Sequence, residues 1–177
     1  SNIYAPLANR LSIGQLKWEL EDLAFKFLHH DEYAQIAKDL GERRLDRENY
    51  INEFVQNLEQ TLRKEGINAT VYGRPKHIYS IYKKMIKQDK AFEDIYDILA
   101  IRIIVDKVET CYQVLGIIHA HYTPIPKRFK DYIAVPKPNM YQSLHTTVIG
   151  SEGDTFEIQI RTEEMDRVAE FGIAAHW

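Results

Sequence analysis

The sequence predicts an α/β (α+β) fold: a mixed β-sheet flanked by helices, with a helical segment at the N-terminus. Three observations carry that expectation. Apolar residues recur at helical spacing through the first third. From Ile67 onward, short β-branched runs alternate with helical stretches. A Gly-Ser-Glu-Gly-Asp turn beginning at Gly150 joins two strand-like segments. With 177 residues and 45% hydrophobic content the chain can bury a core of its own. One compact domain is expected, residues 1–66 forming a helical segment that packs on a core of residues 67–177.

The elements follow in order. Leu16, Leu20, Leu23, Ala24 and Phe27 make one apolar helical stripe, and Ile51, Phe54, Val55, Leu58 and Leu62 make a second. Asp46 is positioned to cap the second helix, and Gly66 stands where a left-handed residue would end it. Both helices are expected to cover one side of the sheet. A short strand is expected around Ala69–Tyr72, then a helix from about Pro75 to Lys87, since proline is tolerated in a first helical turn. Leu99–Val105 is β-branched and almost wholly apolar, which suits a central strand covered on both faces. Val108–Tyr122 reads as helix and Thr123–Tyr141 as a long loop rich in Pro, Lys and Tyr. Strands Leu144–Ile149 and Thr155–Arg161 follow, and a last helix begins near Glu163.

Composition narrows the function classes. A net charge of −3 and a pI near 6.2 give no support to sequence-independent DNA binding. The acidic excess falls in residues 1–66, whereas residues 73–90 set Arg74, Lys76, Lys83, Lys84, Lys87 and Lys90 against Asp89 alone. That basic stretch suits a small polyanion. The single cysteine, Cys111, excludes an internal disulfide framework and a cysteine-based zinc cluster, and its helical apolar neighbours predict a buried structural thiol. No apolar run reaches the length of a membrane span, so no membrane partner is expected and a reducing cytoplasm fits best. His29-His30-Asp31-Glu32 has metal-ligand composition, but adjacent helical residues diverge, so a polar helix end is expected there.

Four stretches could carry chemistry. Gly73-Arg74-Pro75-Lys76-His77 falls at a strand-to-helix junction, where backbone amides and the helix dipole favour an anion. The helix that follows would group His77, Ser80, Lys84 and Lys87 on one face, opposite Ile78, Ile81, Tyr82 and Met85. Asp97 precedes the apolar strand, near a strand end where ligands of open sheets gather; a turn aspartate is the equally good plain reading. In Thr155–Arg161, alternation separates Thr155, Glu157, Gln159 and Arg161 from Phe156, Ile158 and Ile160, so the polar set lines either a cleft or a solvent edge. Within the long loop, Tyr141 offers a stacking face, Asn139 a base-edge partner and Lys137 a phosphate contact.

Taken together, five blocks closely resemble the RelA/SpoT synthetase domain: Tyr72-Gly-Arg-Pro-Lys-His-Ile-Tyr-Ser-Ile-Tyr-Lys-Lys84, Asp97-Ile-Leu-Ala-Ile-Arg102, Arg128-Phe-Lys-Asp-Tyr-Ile-Ala134, Pro136-Lys-Pro-Asn-Met-Tyr-Gln-Ser-Leu-His-Thr-Thr147 and Phe156-Glu-Ile-Gln-Ile-Arg-Thr162. The resemblance implies a nucleotidyltransferase-like sheet and pyrophosphoryl transfer from ATP to the 3′-hydroxyl of GDP or GTP, releasing AMP. It implies that Arg74 stacks on adenine, that Lys76, Ser80 and Lys84 surround the ATP phosphates, and that Tyr141 stacks on guanine with Lys137, Asn139 and His145 beside it. Asp97 and Glu157 match the family's acidic pair, expected to be catalytic and to hold Mg²⁺, with Mn²⁺ as a substitute. Glu157 would also take the proton of the attacking hydroxyl. Arg128, Lys130 and Asp131 match the basic form of a class motif, which implies a bifunctional synthetase/hydrolase parent. Ending after His176-Trp177, the chain reads as a fragment without hydrolase or regulatory halves, and ribosome contact is expected only through regions absent from it. The alternative from another class is a catalytically silent guanine/adenine nucleotide-binding regulatory module.

Overall fold

A computed structural model describes residues 4–74, 77–96 and 98–175. Asp97, Pro75 and Lys76, for which the sequence carries site or helix-start expectations, lie outside the described residues. Where the sequence suggests a boundary at residue 66, the chain divides into two compact units, Ser1–Arg47 with Pro75–Tyr96, and Glu48–Arg74 with Asp97–Trp177.

The first unit is helical. It contains α1 (Tyr4–Leu28), the first part of α2 (His30–Lys64), α3 (Ile78–Gln88) and α4 (Phe92–Tyr96). Its core gathers Phe25, Ile36, Ile81, Phe92 and Ile95, with Tyr79, Tyr82 and Met85 packed against them. The inward face of α1 is set by residues at helical spacing. Trp18 stacks on His77 at 4.4 Å, Asp22 Oδ1 accepts the Tyr79 N–H at 3.0 Å near the start of α3, and the Phe25 ring lies 4.5 Å from that of Tyr82.

This reverses the face expected of α1. Leu16, Leu20, Leu23 and Phe27 are exposed, because aromatic contacts and one part-buried hydrogen bond at the Trp18–Phe25 side outcompete the aliphatic stripe. The expected helix start at Asp46 is also corrected. α2 runs unbroken through it for 35 residues, since Glu42, Arg43, Arg44, Leu45 and Arg47 are strong helix formers that an interior aspartate does not interrupt. α3 begins at Ile78 with His77 as its N-cap, later than the expected start near Pro75. Its apolar face is as expected, with Ile81 buried and Lys84 and Lys87 exposed. α4 was not anticipated.

The second unit holds the sheet. Its strands are β1 (Thr70–Gly73), β2 (Ile98–Val105), β3 (Thr123–Pro124), β4 (Lys130–Asp131), β5 (Leu144–Ile149) and β6 (Thr155–Thr162), with α5 (Val108–His121) and α6 (Glu163–Ala175). The order is β1-β2-β6-β5-β3, with β4 also on β5. β2 and β6 run parallel and the other pairs antiparallel. The class and mixed sheet are those the sequence predicts. The two-residue strands β3 and β4 lie inside the segment expected to be loop; each exists only by pairing with β5.

Alternation then divides the sheet into two faces. Leu99, Ile101, Ile103, Phe156, Ile158, Ile160 and Val148 are essentially inaccessible to water, and they pack with Phe54, Leu58 and Leu62 of α2 and Cys111, Val114 and Ile118 of α5. Burying a side chain of this size contributes about 1.5–3 kcal/mol. Phe54 and Phe156 stack at 3.8 Å, and Thr146, the polar exception on this face, meets His119 Nε2 at 2.7 Å. Cys111 is buried, and burial pushes its thiol up to about 11, as suits an inert packed residue. The end of α2 is fixed by Gly66 at φ 76°: the Ile67 N–H reaches the Leu62 carbonyl at 2.9 Å and the Gly66 N–H that of Arg63 at 3.0 Å, the left-handed stop its position suggests.

Candidate active site

The opposite face of the same strands is polar. Register places Arg102 across from Gln159 and Tyr72, Ala100 from Glu157, and His145 from Gln159. One residue beyond β1, the Arg74 N–H bonds the Ala100 carbonyl at 2.8 Å, which sets Arg74 beside the Glu157 row. Its guanidinium feels both the Glu157 carboxylate and Tyr141. Burial, then Arg102 and Arg161, lower its pKa from the ordinary arginine value, while Tyr141 and Glu157 oppose that shift. Glu157 is therefore a carboxylate within electrostatic reach of the Arg74 guanidinium.

Two buried arginines are balanced by α6. Thr162 Oγ1 accepts the Met165 N–H at 3.2 Å and caps the helix, so Asp166 and Glu170, one turn apart, face the sheet together. Arg161, 1% exposed, donates from Nε to Asp166 Oδ1 at 3.0 Å, and its Nη2 lies 2.8 Å from the same oxygen. The second contact is ionic rather than a linear hydrogen bond. Arg102, 8% exposed, donates from Nη1 to Glu170 Oε1 at 2.9 Å and approaches the Tyr72 hydroxyl and Gln159 Oε1 at 3.4 and 3.5 Å. Charges buried this deeply persist only when paired.

The loop before β5 supplies an aromatic cluster. The Met140 N–H bonds the Lys137 carbonyl at 2.8 Å, the Lys137 N–H bonds the Tyr141 carbonyl at 3.1 Å, and Asn139 Oδ1 accepts the Tyr141 N–H at 3.1 Å. This closure holds Met140 at φ 69°, a conformation costly for a residue with a Cβ. Lys137 Nζ lies 4.7 Å from the Tyr132 ring and 5.2 Å from that of Tyr141, while the rings of Tyr132, Tyr141 and His145 meet edge to face. The Tyr141 hydroxyl lies 2.7 Å from His145 Nε2 and accepts from Arg161 Nη1 at 3.4 Å. Burial, then Lys137, Arg161, Arg74 and Arg102, push His145 down to about 4, so its imidazole is neutral near pH 7.

Of the residues singled out from sequence, Arg74, Glu157, Lys137, Asn139, Tyr141 and His145 thus fall in one unit, around one face and its adjoining loop. Ser80 and Lys84 stand on α3 in the helical unit, half-buried and exposed. Lys76 and Asp97 lie outside the described residues. Arg128 and Lys130 are exposed, whereas Asp131 Oδ1 accepts the Ile133 and Ala134 N–H groups at 3.0 and 2.9 Å and its Oδ2 accepts the Tyr112 hydroxyl at 2.8 Å. Desolvation opposes its ionisation, but those three donors outweigh it and hold the carboxyl below the usual aspartate range. Arg102, Asp166 and Glu170 are site-building residues that sequence reasoning missed. Two signals were available: Arg102 as the charge inside an apolar strand, and Asp166 and Glu170 at helical i, i+4 spacing just after β6.

Among the described residues no group of three His, Cys, Asp or Glu side chains converges. Glu157 is still chemically suited to a hard cation, since Mg²⁺ is commonly held by one or two carboxylates completed by substrate phosphates.

The polar face of the sheet thus gathers a carboxylate, a packed set of arginines and an aromatic loop, a class of site suited to an anionic ligand with a planar ring. Residues 73–177 match the family model described as the region found in RelA / SpoT proteins, and the chain belongs to that family. It is 59% identical over 177 residues to the GTP pyrophosphokinase of Escherichia coli (strain K12), covering all of this chain and 24% of that protein. It is 58% identical to a probable guanosine-3′,5′-bis(diphosphate) 3′-pyrophosphohydrolase of Synechocystis sp., over 99% of this chain and 23% of that one. The chain therefore spans about a quarter of the length of the curated relatives it matches. The crystal structure of small alarmone synthetase 1 from Bacillus subtilis superposes with a TM-score of 0.61 at 28% identity, covering 77% of this chain and 78% of that chain. No described helix is long and apolar enough to cross a membrane.

Proposed function

We propose that this chain is a (p)ppGpp synthetase domain that transfers pyrophosphate from ATP to the 3′-hydroxyl of GDP or GTP. The observation that carries the reading is Glu157, held beside Arg74 on the polar sheet face, within the same unit as the Tyr141–His145 cluster. Relatives named for GTP pyrophosphokinase activity support it.

In this reading Arg74 stacks on adenine, with Lys76, Ser80 and Lys84 at the ATP phosphates, and Tyr141 stacks on guanine with Lys137, Asn139 and His145 around it. The 3′-oxygen attacks the β-phosphorus, the bond from that phosphorus to the bridging oxygen of the α-phosphate breaks, AMP leaves, and Glu157 takes the hydroxyl proton. Such transfer needs in-line positioning and charge neutralisation more than covalent help, which cations clustered around one carboxylate suit. Mg²⁺ held by Glu157 and Asp97 would supply charge neutralisation at the phosphates when bound. The basic motif Arg128-Phe-Lys-Asp131 supports a bifunctional parent.

Incubating the chain with labelled ATP, GDP and Mg²⁺ tests the proposal. AMP and a 3′-pyrophosphorylated guanosine product are expected to appear together, and ATP hydrolysis without transfer rejects it. ADP is expected to be a poor acceptor; equal use of ADP and GDP counts against guanine stacking at Tyr141.

A further inference from the structure

A continuous hydrogen-bonded path joins Asp166 of α6 to the loop that carries Tyr141. Asp166 Oδ1 accepts from Arg161 Nε at 3.0 Å; Arg161 Nη1 donates to the Tyr141 oxygen at 3.4 Å; the Tyr141 hydroxyl meets His145 Nε2 at 2.7 Å. The direction of its Arg161–Tyr141 step is set by chemistry. A guanidinium has donors only, so the Tyr141 oxygen accepts from Arg161, and toward His145 Nε2 the same hydroxyl either donates its proton or accepts with its second lone pair. The Arg161 guanidinium also lies 5.8 Å over the Tyr141 ring, so one side chain fixes both the hydroxyl and the ring plane.

Arg161 has few alternatives. It is 1% exposed, and a buried guanidinium without its carboxylate would turn toward water or displace its neighbours. Glu170 is largely engaged by Arg102 at 2.9 Å and lies 4.0 Å from Arg161, so Asp166 is the carboxylate that sets the Arg161 orientation.

We propose that Asp166 is a positioning residue for the guanine-binding side of the site, acting through Arg161 to hold the Tyr141 ring in its stacking orientation. The inference rests on the reading of Tyr141 given above. It makes α6, which supplies no group to the reacting atoms, a determinant of acceptor affinity.

The test is a set of steady-state and spectroscopic measurements on the 177-residue chain. Asp166→Asn keeps an oxygen that can accept from Arg161 Nε but removes the charge. It is expected to raise KM for the guanosine nucleotide about tenfold, in line with loss of a charge-assisted hydrogen bond, with kcat and KM for ATP within about twofold. Tyr141→Phe cuts the path after Arg161 and is expected to have a similar effect. The double variant should be little worse than either single one, because both changes break one path. Asp166→Glu should recover part of the affinity. Equal rises in both KM values, additive losses in the double variant, or an unchanged acceptor KM overturn the proposal.

Should Asp166→Asn fail to fold, ¹⁵N NMR of His145 compares the unaltered chain with Tyr141→Phe: a changed Nε2 signal is expected, and an unchanged one overturns the path. Calorimetric titration with GDP keeps this separate from the activity proposal. Weaker GDP binding by Asp166→Asn upholds the positioning role even if the unaltered chain forms no transfer product; unchanged binding removes it.

Discussion

The two faces of β6 differ by one residue of register and by nearly everything else. Phe156, Ile158 and Ile160 point into a core closed by α2 and α5, where, Thr146 apart, the packing is between apolar side chains that could be exchanged for others of similar volume. Glu157, Gln159 and Arg161 point the other way, where Gln159 meets Arg102, Arg161 meets Asp166, and Glu157 lies within electrostatic reach of Arg74. The lesson is that one eight-residue strand carries stability on one side and specificity on the other. The alternation keeps the two requirements from competing, because a change on one side leaves the other side chain set untouched.

That separation can be broken by experiment. The largest expected effect is on chemistry: Glu157→Gln should lower product formation by about 10²–10⁴-fold, the usual worth of a positioned acid–base group, while the urea midpoint shifts little. A large loss of stability would show that the polar face also supports the fold. Conversely, Phe156→Ala removes the ring stacked at 3.8 Å on Phe54 and should cost about 3–5 kcal/mol in chemical denaturation. Gly150→Ala tests the same corner from outside, since a Cβ there would meet Phe156 Cε2 at 2.6 Å and the Tyr50 hydroxyl at 3.2 Å; a loss of about 1–3 kcal/mol is expected.

An effect of similar size comes from pH. His145 titrates near 4 in the folded chain against about 6.5 when unfolded. Between those values the unfolded chain binds the extra proton, so stability falls as pH drops through that window, by at most about 1.4 kcal/mol per unit. His145→Gln should flatten that slope in melts collected from pH 7 to pH 4. The smallest effect is expected at Tyr112→Phe, which removes the 2.8 Å bond to Asp131 and should cost about 1 kcal/mol.

How much of this was legible in the sequence follows from the range of the forces involved. The β5–β6 hairpin was readable to within a residue at each end, because strict alternation and a glycine-rich turn are local signals, and Gly153 does adopt φ 85°. The polar set on β6 and the loop residues near Tyr141 were readable as candidates for the same reason. What failed depended on distant partners. Asp46 carries a cap signal, but the helix on both sides of it continues. Leu16, Leu20, Leu23 and Phe27 look like a core stripe until Trp18 and Phe25 find the aromatic residues around α3. β3 and β4 are invisible without β5. Alternation places Arg161 beside Glu157 on a face that lines either a cleft or a solvent edge, yet nothing local says that a helix turn bearing Asp166 and Glu170 would fold back to neutralise it and Arg102.

The loop closed around Met140 has a consequence for association. Its three internal hydrogen bonds and its one left-handed residue have already spent the conformational freedom that a slack loop would surrender on capture. Under the proposed function, a base arriving at Tyr141 would meet a seat that is already shaped, and encounter with the acceptor would be limited by diffusion and charge rather than by a wait for the chain to rearrange.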